Sequence, residues 1–103
     1  MNQIIKTMKY QKNQILYFKP NYEEINRCCW ICQIVKYIEK SNRYLVVLQD
    51  IYAPFHYLKS FVYEQDLGDI SKTFVLDVVD LDDLKLNLTL KEVMKLQYYD
   101  LYK

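Results

Sequence analysis

One glycine, Gly68, serves the whole chain of 103 residues. Two-residue primed turns usually want Gly, so that scarcity argues against them and most connections should be longer loops of Asn, Asp, Ser and Lys. Proline is almost as rare, at Pro20 and Pro54. No apolar run reaches the ~20 residues of a membrane span. The start, Met1-Asn2-Gln3-Ile4-Ile5-Lys6, lacks the apolar core of a signal peptide. The expectation is an intracellular protein, nuclear or cytoplasmic and away from the membrane, with its three cysteines reduced. The sole histidine is His56, and neither a P-loop nor a dinucleotide fingerprint occurs. No enzymatic activity, cofactor or small-molecule substrate is expected.

What the chain has is tyrosine and β-prone sequence. It carries 11 Tyr, with 51% hydrophobic and 26% charged residues, a globular profile that suits one domain over 1–103. Net charge is only +1, but it is unevenly spread. Met1–Tyr63 holds nine basic against four acidic residues, and Glu64–Leu90 two against seven. Such a polarised surface can orient a partner.

Residues 1–12 read as a flexible arm or a short helix, and 15–81 as β-structure. Ile15–Phe18 is a short β-prone run. Arg27–Ile38 and Arg43–Asp50 form a long hairpin around Glu39-Lys40-Ser41-Asn42. Strict alternation puts Cys28, Trp30, Cys32, Ile34 and Ile38 on one face of the first strand, and Cys29, Ile31, Val35 and Tyr37 on the other. Pro54 should break the chain before a strand or bent pair over Phe55–Tyr63. Glu64–Lys72 reads as an acidic loop and Thr73–Leu81 as a further strand. The end reads as a helix over 89–102, because Thr89 and Glu92 make a capping box and Leu88 with Val93 fits a hydrophobic staple. The fold class is mainly β (α+β): a small OB-like or SH3-like barrel with a C-terminal α-helix.

Three constellations carry chemistry. Cys29-x-x-Cys32, with Cys28 adjacent and His56 downstream, has the composition of a Cys₃His zinc site. Positions 29 and 32 of a strand point to opposite faces, however, so these cysteines read as small core hydrophobes and no metal is expected. Lys36, Tyr37, Lys40, Arg43 and Tyr44 bring aromatic and cationic groups together around the hairpin, the combination that holds single-stranded nucleic acid. Leu90, Val93, Met94, Tyr98, Tyr99 and Leu101 give the terminal helix an apolar stripe wider than the roughly 100° a home core covers, which predicts docking to a protein partner.

The order of elements resembles small oligonucleotide/oligosaccharide-binding (OB) folds. Trp30–Glu39 and Asn42–Asp50 look like the first two barrel strands, and Thr73–Asp80 like a late one. Within that group the chain is most similar to the smallest subunit of trimeric telomere-end-binding and RPA-like complexes, on the strength of its size, Pro54-Phe55-His56 and the ending Leu101-Tyr102-Lys103. The resemblance implies a non-catalytic subunit of a complex acting on single-stranded nucleic acid, with a terminal helix docked on a partner subunit. Two departures stand out: no Gly marks the bend of the first strand, and Ile51–Lys72 is short for the middle of an OB fold, which an SH3-like barrel would fit. The competing reading is a phage-type inhibitor or adaptor that binds a host protein through its acidic segment or a strand edge.

Overall fold

A computed structural model describes residues 9–19, 30–50, 53–70 and 80–102, with backbone only at 50, 53–56 and 81. Five antiparallel strands form one sheet: β1 (Ile15–Phe18), β2 (Trp30–Ile38), β3 (Arg43–Asp50), β4 (Ala53–Tyr63) and β5 (Leu67–Asp69), in the order β4-β3-β2-β1-β5. Two short helices follow, α1 (Leu81–Leu84) and α2 (Leu90–Lys95). The class is mainly β, as the residue pattern predicts. Four consecutive strands make a meander and the fifth returns to the first. Among the described residues β4 and β5 are the two edges of the sheet and do not pair with each other.

Several expected boundaries move. Pro54 lies inside β4 rather than breaking it, and it is tolerated because β4 is an edge strand that does not need every N–H in a ladder. The expected acidic loop is a 3₁₀ turn over Glu64–Asp66 followed directly by β5. Of the arm or short helix expected over 1–12, residues 1–8 lie outside the described residues, and 9–12 are anchored at Tyr10. Tyr10 is buried, its N–H donates to the Tyr44 hydroxyl at 3.2 Å, and its own hydroxyl donates to the Leu67 carbonyl at 3.2 Å. The strand expected at Thr73–Leu81 lies outside the described residues up to 79. At its end, Asp80 Oδ1 accepts from the Asp82 N–H and caps α1 at Leu81 instead.

The alternation of β2 breaks at a bulge. Ile34 pairs with Val46, but Lys36 pairs with Leu45 and Tyr37 with Tyr44, which leaves Val35 as the extra residue. Beyond it every side chain changes face relative to strict alternation. Tyr37 therefore joins the inner core with Tyr44, and Ile38 joins Val35 on the outer face, reversing the expected assignment of both. The bulge gives β2 the bend for which no glycine is available.

The curled sheet buries Leu16, Phe18, Cys32, Ile34, Tyr44, Val46, Leu48 and Val62 on its inner face. Its outer face is covered from the C-terminal side. Leu84 packs on Ile15, Ile31 and Ile70 near β1, whereas Val93, Leu86, Leu88 and Leu96 pack on Leu45 and Val47. Gln33 secures this strap, its amide donating to the Leu86 carbonyl at 3.1 Å and accepting from the Leu86 N–H at 2.9 Å. A side chain thus does for Leu86 what a neighbouring strand would do. Gly68 sits opposite Tyr17, and a Cβ there would come within 2.5 Å of the tyrosine ring, so the lone glycine marks a close approach.

The terminal helix is shorter than its periodicity predicts. Its N-terminus is as expected: Thr89 Oγ1 accepts from the Glu92 N–H, and the Glu92 carboxylate accepts from the Thr89 N–H. Yet the chain turns extended at Leu96, so 96–102 is not helical. Lys59 is the reason. It lies on the open edge of β4, where backbone groups need partners. Its N–H donates to the Gln97 carbonyl at 2.9 Å, its carbonyl accepts from the Tyr99 N–H at 2.9 Å, and its ammonium donates to the Met94 carbonyl at 2.6 Å. The tail thus adds a short parallel bridge to the sheet at Tyr98, a conformation that suits its tyrosines.

Candidate functional site

The hairpin residues expected to hold nucleic acid do not converge. Tyr44 is fully buried, with its hydroxyl donating to Glu64 Oε1 at 3.1 Å, and it has no face left for a base. Burial also raises its pKa, despite the N–H from Tyr10. Tyr37 packs edge-on against it with ring centroids 5.0 Å apart, and its hydroxyl donates to Asn42 Oδ1 at 2.8 Å. Both rings belong to the inner core, whereas Lys36 and Arg43 are on the outer face of their strands. Arg43 lies over the Tyr63 ring at 4.5 Å and donates to its hydroxyl at 2.6 Å. Lys40 projects from the turn and is exposed. The bulge at Val35 is what separates the rings from the cations.

Of the cysteines, Cys32 is buried in the inner core, where loss of water drives its thiol pKa far upward. Cys28, Cys29 and the side chain of His56 lie outside the described residues.

The C-terminal residues expected to dock on a partner divide into two sets. Val93 is buried on the outer face and Leu101 packs against the inner core. Leu90, Met94, Tyr98 and Tyr99 are 45–53% exposed. They form no single helical stripe, because the tail crosses the β4 edge between them. Tyr98 rests on Phe61 of the outer face with centroids 5.9 Å apart, and Tyr99 on Trp30 of the inner face at 5.6 Å. Leu90, Met94 and Tyr98 thus share the outer side.

A cleft of about 220 Å³ opens beside them, between Lys12 and Asn13 of the first turn, the bulge residues Val35 and Lys36, and the strap residues Leu88 and Leu90. Of the residues that line it, the expected sites included Lys36, Leu90 and Val93. A signal for the strap alone is present in Leu84-Lys85-Leu86-Asn87-Leu88-Thr89-Leu90, a strict period-two alternation that marks an extended segment with one apolar side, and it carries nothing of Lys12, Asn13 or Val35.

Compared with protein-family models, curated proteins and solved structures, the chain matches none of them.

Proposed function

We propose that this chain is a non-catalytic contact module: a small β-sheet domain, acting as a subunit or adaptor, that docks on a protein partner through the outer side of its C-terminal segment. The observation that carries this reading is the split within one segment. Val93 is 1% exposed while Leu90 and Met94, on the same short helix, are 49% and 53% exposed. The helix is therefore held in place by its own core and still presents large apolar side chains to solvent, the arrangement of a pre-organised interface.

A role on single-stranded nucleic acid draws less support, since Tyr44 is fully buried and Tyr37, half-buried, packs edge-on against it on the face opposite Lys36 and Arg43. Docking through the β4 edge or the acidic segment also draws less. The edge is occupied at Lys59 by the chain's own tail, and Glu64 and Asp66 accept hydrogen bonds from Tyr44 and Tyr102. The test is co-purification from cells that express the protein, comparing wild type with Met94→Glu. The variant is expected to keep the wild-type melting temperature and lose the partner. Recovery of the same partner at wild-type yield would overturn the reading.

A further inference from the structure

The cleft between the first turn, the bulge and the strap has a size and a charge that specify what enters it. Its volume, about 220 Å³, is below the roughly 300–1,000 Å³ of pockets that enclose whole small molecules, and is on the scale of one large side chain. Its apolar wall consists of Val35, Val47, Leu88, Leu90 and Val93. At its mouth stand Lys12 and Lys36, both exposed. Among the described residues neither lysine forms an ion pair, whereas Lys85 pairs with Asp82 at 3.8 Å. On α2 the one acid, Glu92, has its carboxylate held by the Thr89 N–H in the capping box. An apolar socket with uncompensated cations at its rim is complementary to an apolar side chain flanked by carboxylates.

We propose that this cleft seats an acidic linear segment of the protein partner, which inserts one large apolar side chain beside Val35 and Leu88 and lays its carboxylates on Lys12 and Lys36. The inference rests on the docking reading above and names the chemistry of its partner. A lipid surface fits less well, because a flat array of headgroups has no side chain to fill a concave socket.

The probe is a fluorescein-labelled peptide with one tryptophan between two glutamates on each side, followed by fluorescence anisotropy. Binding is expected to weaken steeply with salt, as for exposed charges. It should fall roughly tenfold or more for Lys12→Glu/Lys36→Glu, and by a similar factor when alanine replaces the peptide's tryptophan. Both lysines are exposed, so an unchanged far-UV spectrum and melting temperature should accompany the loss. Equal binding by the double variant, or by the alanine peptide, would overturn the proposal. So would binding to phosphatidylserine vesicles without binding to the peptide. The native partner separates the two readings. Loss of the partner with Met94→Glu but full retention with Lys12→Glu/Lys36→Glu leaves the docking surface standing and sinks the acidic segment. Retention with both sinks both.

Discussion

At the residue scale, tyrosine hydroxyls are structural joints in this protein. Tyr102 is the clearest case. Its hydroxyl accepts from the Tyr63 N–H at 2.8 Å and donates to Asp66 Oδ2 at 2.7 Å, so it spans the 3₁₀ turn between β4 and β5. Its ring stands edge-on to Phe18 and Tyr63, at 5.8 and 5.4 Å. Tyr102→Phe keeps those ring contacts and removes only the hydroxyl, so it should lower stability by about 1–2 kcal/mol in urea unfolding at neutral pH. Burial raises the Tyr102 pKa well above the ordinary phenol value; the N–H of Tyr63 opposes this and the hydrogen bond to Asp66 adds to it. A raised value means the folded state keeps a proton that the unfolded chain releases above pH ~10. The contribution is whole below that pH and is lost as pH rises beyond it. Between pH 9 and about 11 the melting temperature of wild type should therefore fall more steeply than that of Tyr102→Phe. Parallel curves would mean that the hydroxyl is already solvated.

At the element scale, the C-terminal segment is governed by what it packs on. Within α2, Val93 inserts between Leu45 and Val47, whereas Met94 points away. Val93→Ala should cost about 2 kcal/mol through the cavity it leaves, and Met94→Ala should stay within about 0.5 kcal/mol of wild type. Equal effects in chemical denaturation would contradict the division of the helix into a core side and a contact side. The capping box gives this element a pH signature. The Thr89 N–H, and then the Thr89 side chain, hold the Glu92 carboxyl below its usual pKa. A lowered value contributes stability that is present above the unfolded pKa, about 4.3, and is lost as pH falls through the lowered one. The difference in melting temperature between wild type and Glu92→Gln should thus shrink in acid below pH ~4. A constant difference would assign the effect to something other than the charge.

At the scale of the whole molecule, a single segment ties the two faces of the sheet together. The strap covers the outer face through Leu84, Leu86, Leu88 and Val93, crosses the β4 edge at Tyr98, and reaches the inner core with Leu101. Loss of the sheet and loss of the tail should accordingly be one event. Trp30 reports the tail because Tyr99 packs on it at 5.6 Å. Its fluorescence should change at the same denaturant concentration as the far-UV signal of the sheet. An earlier fluorescence transition would make the tail a separately opening unit.

The residue pattern alone determined the β-rich class, the spans of β1 and β3, the hairpin turn at Glu39–Asn42 and the capping box at Thr89 and Glu92. All of these rest on interactions within a few residues: turn formers, period-two runs, and a side chain bonding the backbone three positions away. Tertiary structure decided the rest. Whether Tyr37 faces inward depends on one extra residue at Val35, and local alternation cannot register a bulge that only pairing with β3 defines. The helix after Lys95 had a helical spacing of apolar residues, but the unpaired edge of β4 at Lys59 offered its backbone better partners as an extended strand. The hairpin constellation lost Tyr37 to the inner face by the same bulge, and Tyr44 by the plain alternation of β3 with Val46 and Leu48. The cleft beside Lys12 and Lys36 is assembled from three segments far apart in sequence, so no spacing along the chain could have announced it.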